Sequence, residues 1–111
     1  MPYDQTLADR VRGALSEKAG ITERKMFGGL CLMHWGNMVC GIVGNKLMLR
    51  VGPDRYDDAM AQPHAAPMDF TGRPLKGMVY VLPEGMRTDE ALGRWVDRAL
   101  RFSGSLPRKG L

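Results

Sequence analysis

The chain has 111 residues and a mass of 12.3 kDa, which is room for one domain with a modest core. Hydrophobic residues make up 44% and charged residues 25%, a balance that argues against intrinsic disorder, and no apolar stretch approaches the roughly 18 to 20 residues that cross a bilayer. The formal charge of +4 is compatible with acidic partners but does not require nucleic acid.

The N-terminus lacks the basic and apolar regions of a signal peptide, so we expect a cytoplasmic protein with reduced thiols. Its two cysteines, Cys31 and Cys40, match neither a disulfide framework nor a paired metal motif. We expect a single domain over residues 1–111, with a core at about 3–104 and a flexible tail at 105–111.

A first helix is predicted by apolar residues at helical spacing, from Leu7 through Val11 to Leu15. Asp4 is a suitable N-cap for this helix, and Gly20 is a suitable end. The apolar stripe should face a core.

Residues 29–51 contain three short apolar runs, separated by the pairs Gly36-Asn37 and Gly44-Asn45. Glycine and asparagine tolerate the positive φ that two-residue hairpin turns require. The segment therefore predicts a three-stranded antiparallel meander.

A short second helix is predicted from Pro53 to about Met60, and a loop follows at 62–67. Residues 68–70 and 78–82 predict two further strands. Thr88 then caps a last helix, whose inward face consists of Leu92, Trp95, Val96 and Ala99. The order α-β-β-β-α-β-β-α predicts an α+β fold, a two-layer α/β sandwich with an antiparallel sheet and helices packed on one of its faces.

Three segments carry a family resemblance: residues 25–30 (KMFGGL), 50–53 (RVGP) and 68–77 (MDFTGRPLKG). Together, and in this element order, they resemble the TfoX N-terminal domain family over nearly the whole chain. The resemblance implies a two-layer fold similar to secretion-chaperone-like domains, and an association with the regulation of DNA uptake and competence genes. It supplies no catalytic residues.

The residues themselves give no pattern typical of an enzyme. Cys31 and His34 are three apart in a predicted strand, which sends their side chains to opposite faces. His64 has no neighbouring His or Cys, and Asp57 and Asp58 point in different directions on a short helix. We therefore expect no catalytic residues, no metal and no cofactor.

Basic residues offer two candidate contacts for a polyanion. Arg94, Arg98 and Arg101 recur on one face of the last helix and could contact phosphates. Arg73 and Lys76 lie in a glycine-containing loop that could present them to an anion. The alternatives are a solvated helix face that stabilises the helix dipole, and a turn whose glycines serve backbone geometry alone.

The hairpin turns also predict which side chains share a face. If Gly36 and Asn37 form the first turn, Cys31, Met33, Cys40 and Ile42 lie on the face that the helices cover. The opposite face is more apolar than solvent exposure requires, and we predict a partner surface there formed by Leu30, Leu32, His34, Val39, Val43, Met48 and Arg50. The alternative cover for this face is the domain's own loop.

Two functions follow from these surfaces. The first is a non-enzymatic binding or regulatory module that acts through protein contacts, as a homodimer or with a regulatory protein partner. The alternative is weak, sequence-independent nucleic-acid binding through the last helix. We expect no membrane partner.

Overall fold

A computed structural model describes residues 3–26, 28–68 and 77–107. Within them the elements are α1 (Gln5–Ala14), β1 (Ile21–Met26), β2 (Gly29–His34), β3 (Asn37–Val43), β4 (Lys46–Arg50), α2 (Tyr56–Met60), β5 (Ala65–Pro67), β6 (Met78–Val81) and α3 (Asp89–Ser103). Short 3-10 turns, Pro53–Arg55 and Pro83–Met86, precede α2 and α3.

The strands of the described ranges form one six-stranded sheet in the order β1-β2-β3-β4-β6-β5. Each strand is antiparallel to its neighbours. α3 packs on β3 and β4, and α1 packs on α3. The predicted α+β sandwich, with its helices on one face of an antiparallel sheet, is confirmed. No helix in the described ranges is long and apolar enough to span a membrane.

Both predicted helix caps are present. The side chain of Asp4 accepts a hydrogen bond from the backbone N–H of Leu7 at 3.1 Å. The hydroxyl of Thr88 accepts from the backbone N–H of Ala91 at 3.0 Å. Each cap satisfies one of the N–H groups that a helix start leaves without a partner, so these two residues fix where α1 and α3 begin.

Two strands lie where no strand was predicted. β1 is an edge strand whose four central residues are exposed, so its sequence ITERKM lacks the apolar alternation that identifies half-buried strands. β5 occupies part of the predicted loop at 62–67. Met68 is buried but not in a strand, and the other residues of that predicted strand, Asp69 and Phe70, lie outside the described residues.

The turn between β2 and β3 is one residue earlier than predicted. Its two turn residues are Trp35 and Gly36, with φ of 51° and 85°, and His34 pairs with Asn37. The backbone N–H of Trp35 donates to the carbonyl of Gly20 at 2.9 Å. The indole lies so close to Gly20 that a Cβ there would be 2.3 Å from the ring. A contact distant in sequence therefore favours tryptophan at this turn position.

A bulge follows the turn. Met33 pairs with Met38, but Leu32 pairs with Cys40, so Val39 is the extra residue on β3. Successive side chains of a strand point to opposite faces of the sheet. The one-residue change in register therefore places each side chain of β2 on the face opposite to the predicted one.

The predicted partner surface must therefore be corrected. Leu30, Leu32 and Val39 lie in the core beneath the helices, with 3%, 0% and 0% of their surface exposed. Cys31 and Met33, predicted to lie beneath the helices, belong to the opposite face. The β3–β4 register is as predicted, with turn residues Gly44 and Asn45 and with Val43 opposite Lys46.

The main core lies between the sheet and the three helices. Its largest fully buried side chains include Val11, Leu15, Leu32, Val39, Ile42, Leu47, Leu49, Val51, Val79 and Leu92. After α3 the chain returns to the sheet, where Asn37 Nδ2 donates to the carbonyl of Pro107 at 2.8 Å.

Candidate functional site

The sheet face that points away from the helices carries a second apolar cluster, here called the open face. Of the residues that the structure describes there, three are fully buried: Cys31, Met48 and Met68. Six more are half-buried and pack around them: Met26, Met33, Met38, Val43, Met78 and Tyr80. The open face draws on β1, β2, β3, β4 and β6, so the whole central sheet supports it.

Methionine dominates this surface. The chain has nine methionines, and six of them belong to the open face. Met60 and Met86 pack in the core on the helical side instead. Methionine is unbranched and polarisable, so it adapts its shape to different apolar partners. Concentration of this residue type on one side of the sheet is the feature that separates the open face from the main core.

Gly41 lies at the centre of the open face, between two neighbouring strands. A Cβ at this position would come within 2.8 Å of the Met48 methyl, 3.1 Å of Cys31 Sγ and 3.0 Å of the Leu30 carbonyl oxygen. The absence of a side chain at Gly41 therefore allows Met48 to lie flat across β3. The floor of the open face is densely packed.

The two cysteines lie on opposite faces of the sheet, and both are free and buried. The predicted absence of a disulfide is confirmed, whereas the prediction that they share a face is wrong. Burial raises the pKa of the Cys31 thiol, and burial together with the nearby Cys31 raises the pKa of Cys40 to about 12. Both sulfurs are therefore protonated at neutral pH and poor nucleophiles.

Polar and cationic side chains border the open face. The ammonium of Lys46 lies 5.3 Å from the centroid of the Tyr80 ring, where the face of the ring attracts a cation. Arg24 is exposed and pairs with Cys31 across β1 and β2, which places it on the same side of the sheet. Burial also raises the pKa of the Tyr80 hydroxyl. The border is neutral to basic, with an apolar centre.

Of the predicted partner residues, Val43 and Met48 do lie on the open face. The guanidinium of Arg50 lies 5.1 Å over the Phe102 ring of α3, at the end of the sheet. His34 is half-buried next to Trp35, and its Nδ1 atom is buried without a hydrogen-bond partner in the described part of the chain.

Four residues of the open face, Met33, Met38, Met78 and Tyr80, do not belong to the predicted partner surface. Met33 lies on the face opposite to the predicted one because the turn is one residue earlier. Met78 and Tyr80 alternate with the buried Val79 and Val81, a period of two that could have identified them.

Part of the basic face of α3 is neutralised by ion pairs. Arg94 Nη1 lies 2.6 Å from Glu90 Oε1, and Arg98 Nη1 lies 2.7 Å from Asp58 Oδ2. The Arg98 guanidinium also lies 5.4 Å over the Trp95 ring. Two of the three arginines of α3 that were predicted to contact a polyanion are thus already paired with carboxylates.

The remaining predicted polyanion contacts differ in position. Arg101 is exposed and has no carboxylate partner among the residues that the structure describes. Arg73 and Lys76 lie outside the described residues.

These features define a class: a small antiparallel α+β module with helices on one face of the sheet and a methionine-rich apolar surface on the other. The sequence model of the TfoX N-terminal domain family matches residues 14–103, from the end of α1 to the last residue of α3. The chain belongs to the TfoX N-terminal domain family. Comparisons with curated proteins and with solved structures found no match.

Proposed function

We propose that this domain is a non-enzymatic, protein-binding regulatory module, and that the open face is its contact surface. The observation that carries the proposal is the clustering of six methionines on the sheet face that points away from the described helices. Four of them, Met26, Met33, Met38 and Met78, are half-buried and can contact a partner. Apolar patches with polar borders mark protein interaction sites, and methionine is over-used at surfaces that must fit varied partners.

Self-association is the simplest form of this interaction. In a two-fold dimer the same patch meets itself, so an apolar and adaptable surface is complementary to its own copy. Arg24 and Lys46 lie at the border, where cations can remain hydrated while the methionines lose contact with water. A regulatory protein with an apolar helix or strand would use the same centre and complement the basic border with acidic residues.

The proposed interface is tested by a matched pair of methionine substitutions. Met38→Glu places a carboxylate on the open face, whereas Met60→Glu changes another half-buried methionine on the helical side. Sedimentation velocity over a dilution series should show self-association of the wild type and of Met60→Glu. In an isologous interface the Met38 substitution acts twice, so it should weaken association by several kcal/mol, which is more than about a hundredfold. A wild type that stays monomeric at all concentrations would contradict the homodimer, and equal effects of both variants would contradict the surface.

Nucleic-acid binding through α3 is the second candidate, favoured by the three arginines on its outer face. Because Arg94 and Arg98 already pair with Glu90 and Asp58, any binding is expected to be weak and sequence-independent. Replacing Arg94, Arg98 and Arg101 together with Ala should abolish it, and the binding constant should fall steeply with salt. A sequence-selective complex that survives both changes would rule out this face.

A further inference from the structure

A groove runs along the helical side of the domain, between α3 and the segment that contains the Pro53–Arg55 turn and α2. It consists of two adjoining cavities of about 240 Å³ and about 410 Å³. Val51, Arg55 and Arg101 line both of them. The groove is therefore continuous, and two arginines lie where the cavities meet.

Arg55 and Arg101 differ from Arg94 and Arg98 of α3 in their ion pairs. Arg94 and Arg98 are held by Glu90 and Asp58, whereas neither Arg55 nor Arg101 makes an ion pair with any residue that the structure describes. Both side chains are exposed. Two guanidinium groups that line one groove from different elements, and that have no carboxylate partner within the described ranges, favour a ligand that carries more than one negative charge.

An apolar wall extends from this charged point into the larger cavity. It is formed by Pro53 and Phe102, and the Phe102 ring is fixed by close neighbours. The Arg50 guanidinium lies 5.1 Å over the ring, and a Cβ on Gly52 would lie 2.4 Å from it. Gly52 has φ of 86°, a conformation that favours glycine. The close approach of the Gly52 backbone thus places an aromatic ring on the cavity wall next to the arginines.

Acidic side chains complete the lining. Asp54 lines the larger cavity, Asp97 lines the smaller one, and Asp58 pairs with Arg98. Carboxylates repel a bare anion but accept hydrogen bonds from hydroxyl groups. The combination selects for a molecule that is anionic at one end and rich in hydroxyls elsewhere.

We infer that this groove binds a small organic phosphomonoester that also carries hydroxyl groups. Arg55 and Arg101 contact the phosphate, the carbon skeleton lies against Pro53 and Phe102 in the larger cavity, and Asp54 of the same cavity accepts hydrogen bonds from the hydroxyls. A phosphomonoester carries nearly two negative charges at neutral pH. It therefore matches two guanidinium groups better than a ligand with a single carboxylate would. A cavity of about 410 Å³ is of the size that small molecules occupy.

The test is an NMR titration of the full chain at low salt with ribose 5-phosphate as the probe. Amide shifts should be confined to the groove, at Gly52, Arg55, Phe102 and Ser105. Arg55→Gln and Arg101→Gln should each weaken binding about tenfold or more, the usual effect of losing a charge-assisted hydrogen bond. Arg87→Gln, an exposed arginine outside the groove, is the matched control and should leave affinity unchanged.

Three results would overturn the inference. One is the absence of shifts at the groove, and a second is inorganic phosphate binding as tightly as ribose 5-phosphate, which would leave no role for the apolar wall and the carboxylates. The third is a single-stranded oligonucleotide that binds more tightly than the probe and depends on the same arginines, which would indicate a polyanion surface. Met38→Glu should leave the titration unchanged, so this inference and the proposed protein contact succeed or fail separately.

Discussion

Leu32 lies opposite Cys40 across β2 and β3, while its neighbour Met33 lies opposite Met38. The bulge between these two pairs directs Leu32 and Val39 into the main core and leaves Met33 and Met38 on the open face. The methionine-rich surface therefore depends on one extra residue in β3.

This register predicts losses of stability of different size for two neighbouring substitutions. Val39→Asp buries an unpaired carboxylate in the core and should lower the free energy of unfolding by about 3 kcal/mol or more. Met38→Asp, at a half-buried position on the open face, should cost clearly less. Urea denaturation of both variants measures the difference. Equal losses would contradict the placement of the bulge at Val39.

A second prediction concerns the turn at Trp35. Gly20→Ala should destabilise the fold, because φ at this position is 80° and the new Cβ would meet the indole at 2.3 Å. Gly93→Ala is the matched control, since no atom of the described residues lies within 4 Å of a Cβ built there. In the interior of α3 it should stabilise the protein by about 1 kcal/mol. Thermal denaturation of the two variants should show shifts of opposite sign.

The alkaline stability should depend on Cys40. Because its pKa rises from an ordinary 9.0 to about 12 in the folded state, the folded protein retains a proton that the unfolded chain releases. This contribution is complete below pH 9 and is lost as pH rises towards 12, at up to about 1.4 kcal/mol per pH unit. Cys40→Ala should therefore show a shallower decline of unfolding free energy above pH 9 than the wild type.

Thiol labelling is an independent check on the burial of Cys40, and it reports on Cys31 as well. At neutral pH both buried sulfurs should react slowly with an aromatic disulfide reagent, and denaturant should accelerate the reaction strongly. Rapid labelling of both thiols in the native protein would contradict their burial.

The next prediction concerns stability at acidic pH and the ion pair that connects α1 with β1. Arg12 Nε lies 2.7 Å from Glu23 Oε2, and this hydrogen bond lowers the pKa of the Glu23 carboxyl. The pair therefore contributes stability above the ordinary carboxyl pKa of 4.5 and loses it as pH falls through the lowered value. Glu23→Gln should remove less than about 1 kcal/mol at neutral pH, because the pair is on the surface, and should flatten the acid decline. Glu17→Gln is the control, because Glu17 is exposed and has no ion pair in the described part of the chain. It should leave both the stability at neutral pH and the loss of stability in acid unchanged.

The fold class could be predicted from local sequence patterns. The candidate site could not, because it depends on contacts between residues that are distant in sequence. Asp4 and Thr88 identified their helices because caps act over three residues. The Trp35-Gly36 turn could not be identified in the same way, because Gly36-Asn37 is the better local turn sequence and the contact with Gly20 decides otherwise. Arg55 was missed for a similar reason, since only the packing of α3 beside the Pro53–Arg55 turn brings it near Arg101.

The open face can be tested directly through its own methionines. In a protein labelled at the methionine methyl groups, NMR spectra are recorded from millimolar to micromolar concentration. Self-association through the open face predicts concentration-dependent shifts or broadening at Met33, Met38 and Met78, and unchanged signals from Met60 and Met86 on the helical side. Spectra that are identical at all concentrations, or changes confined to Met60 and Met86, would contradict self-association through this surface.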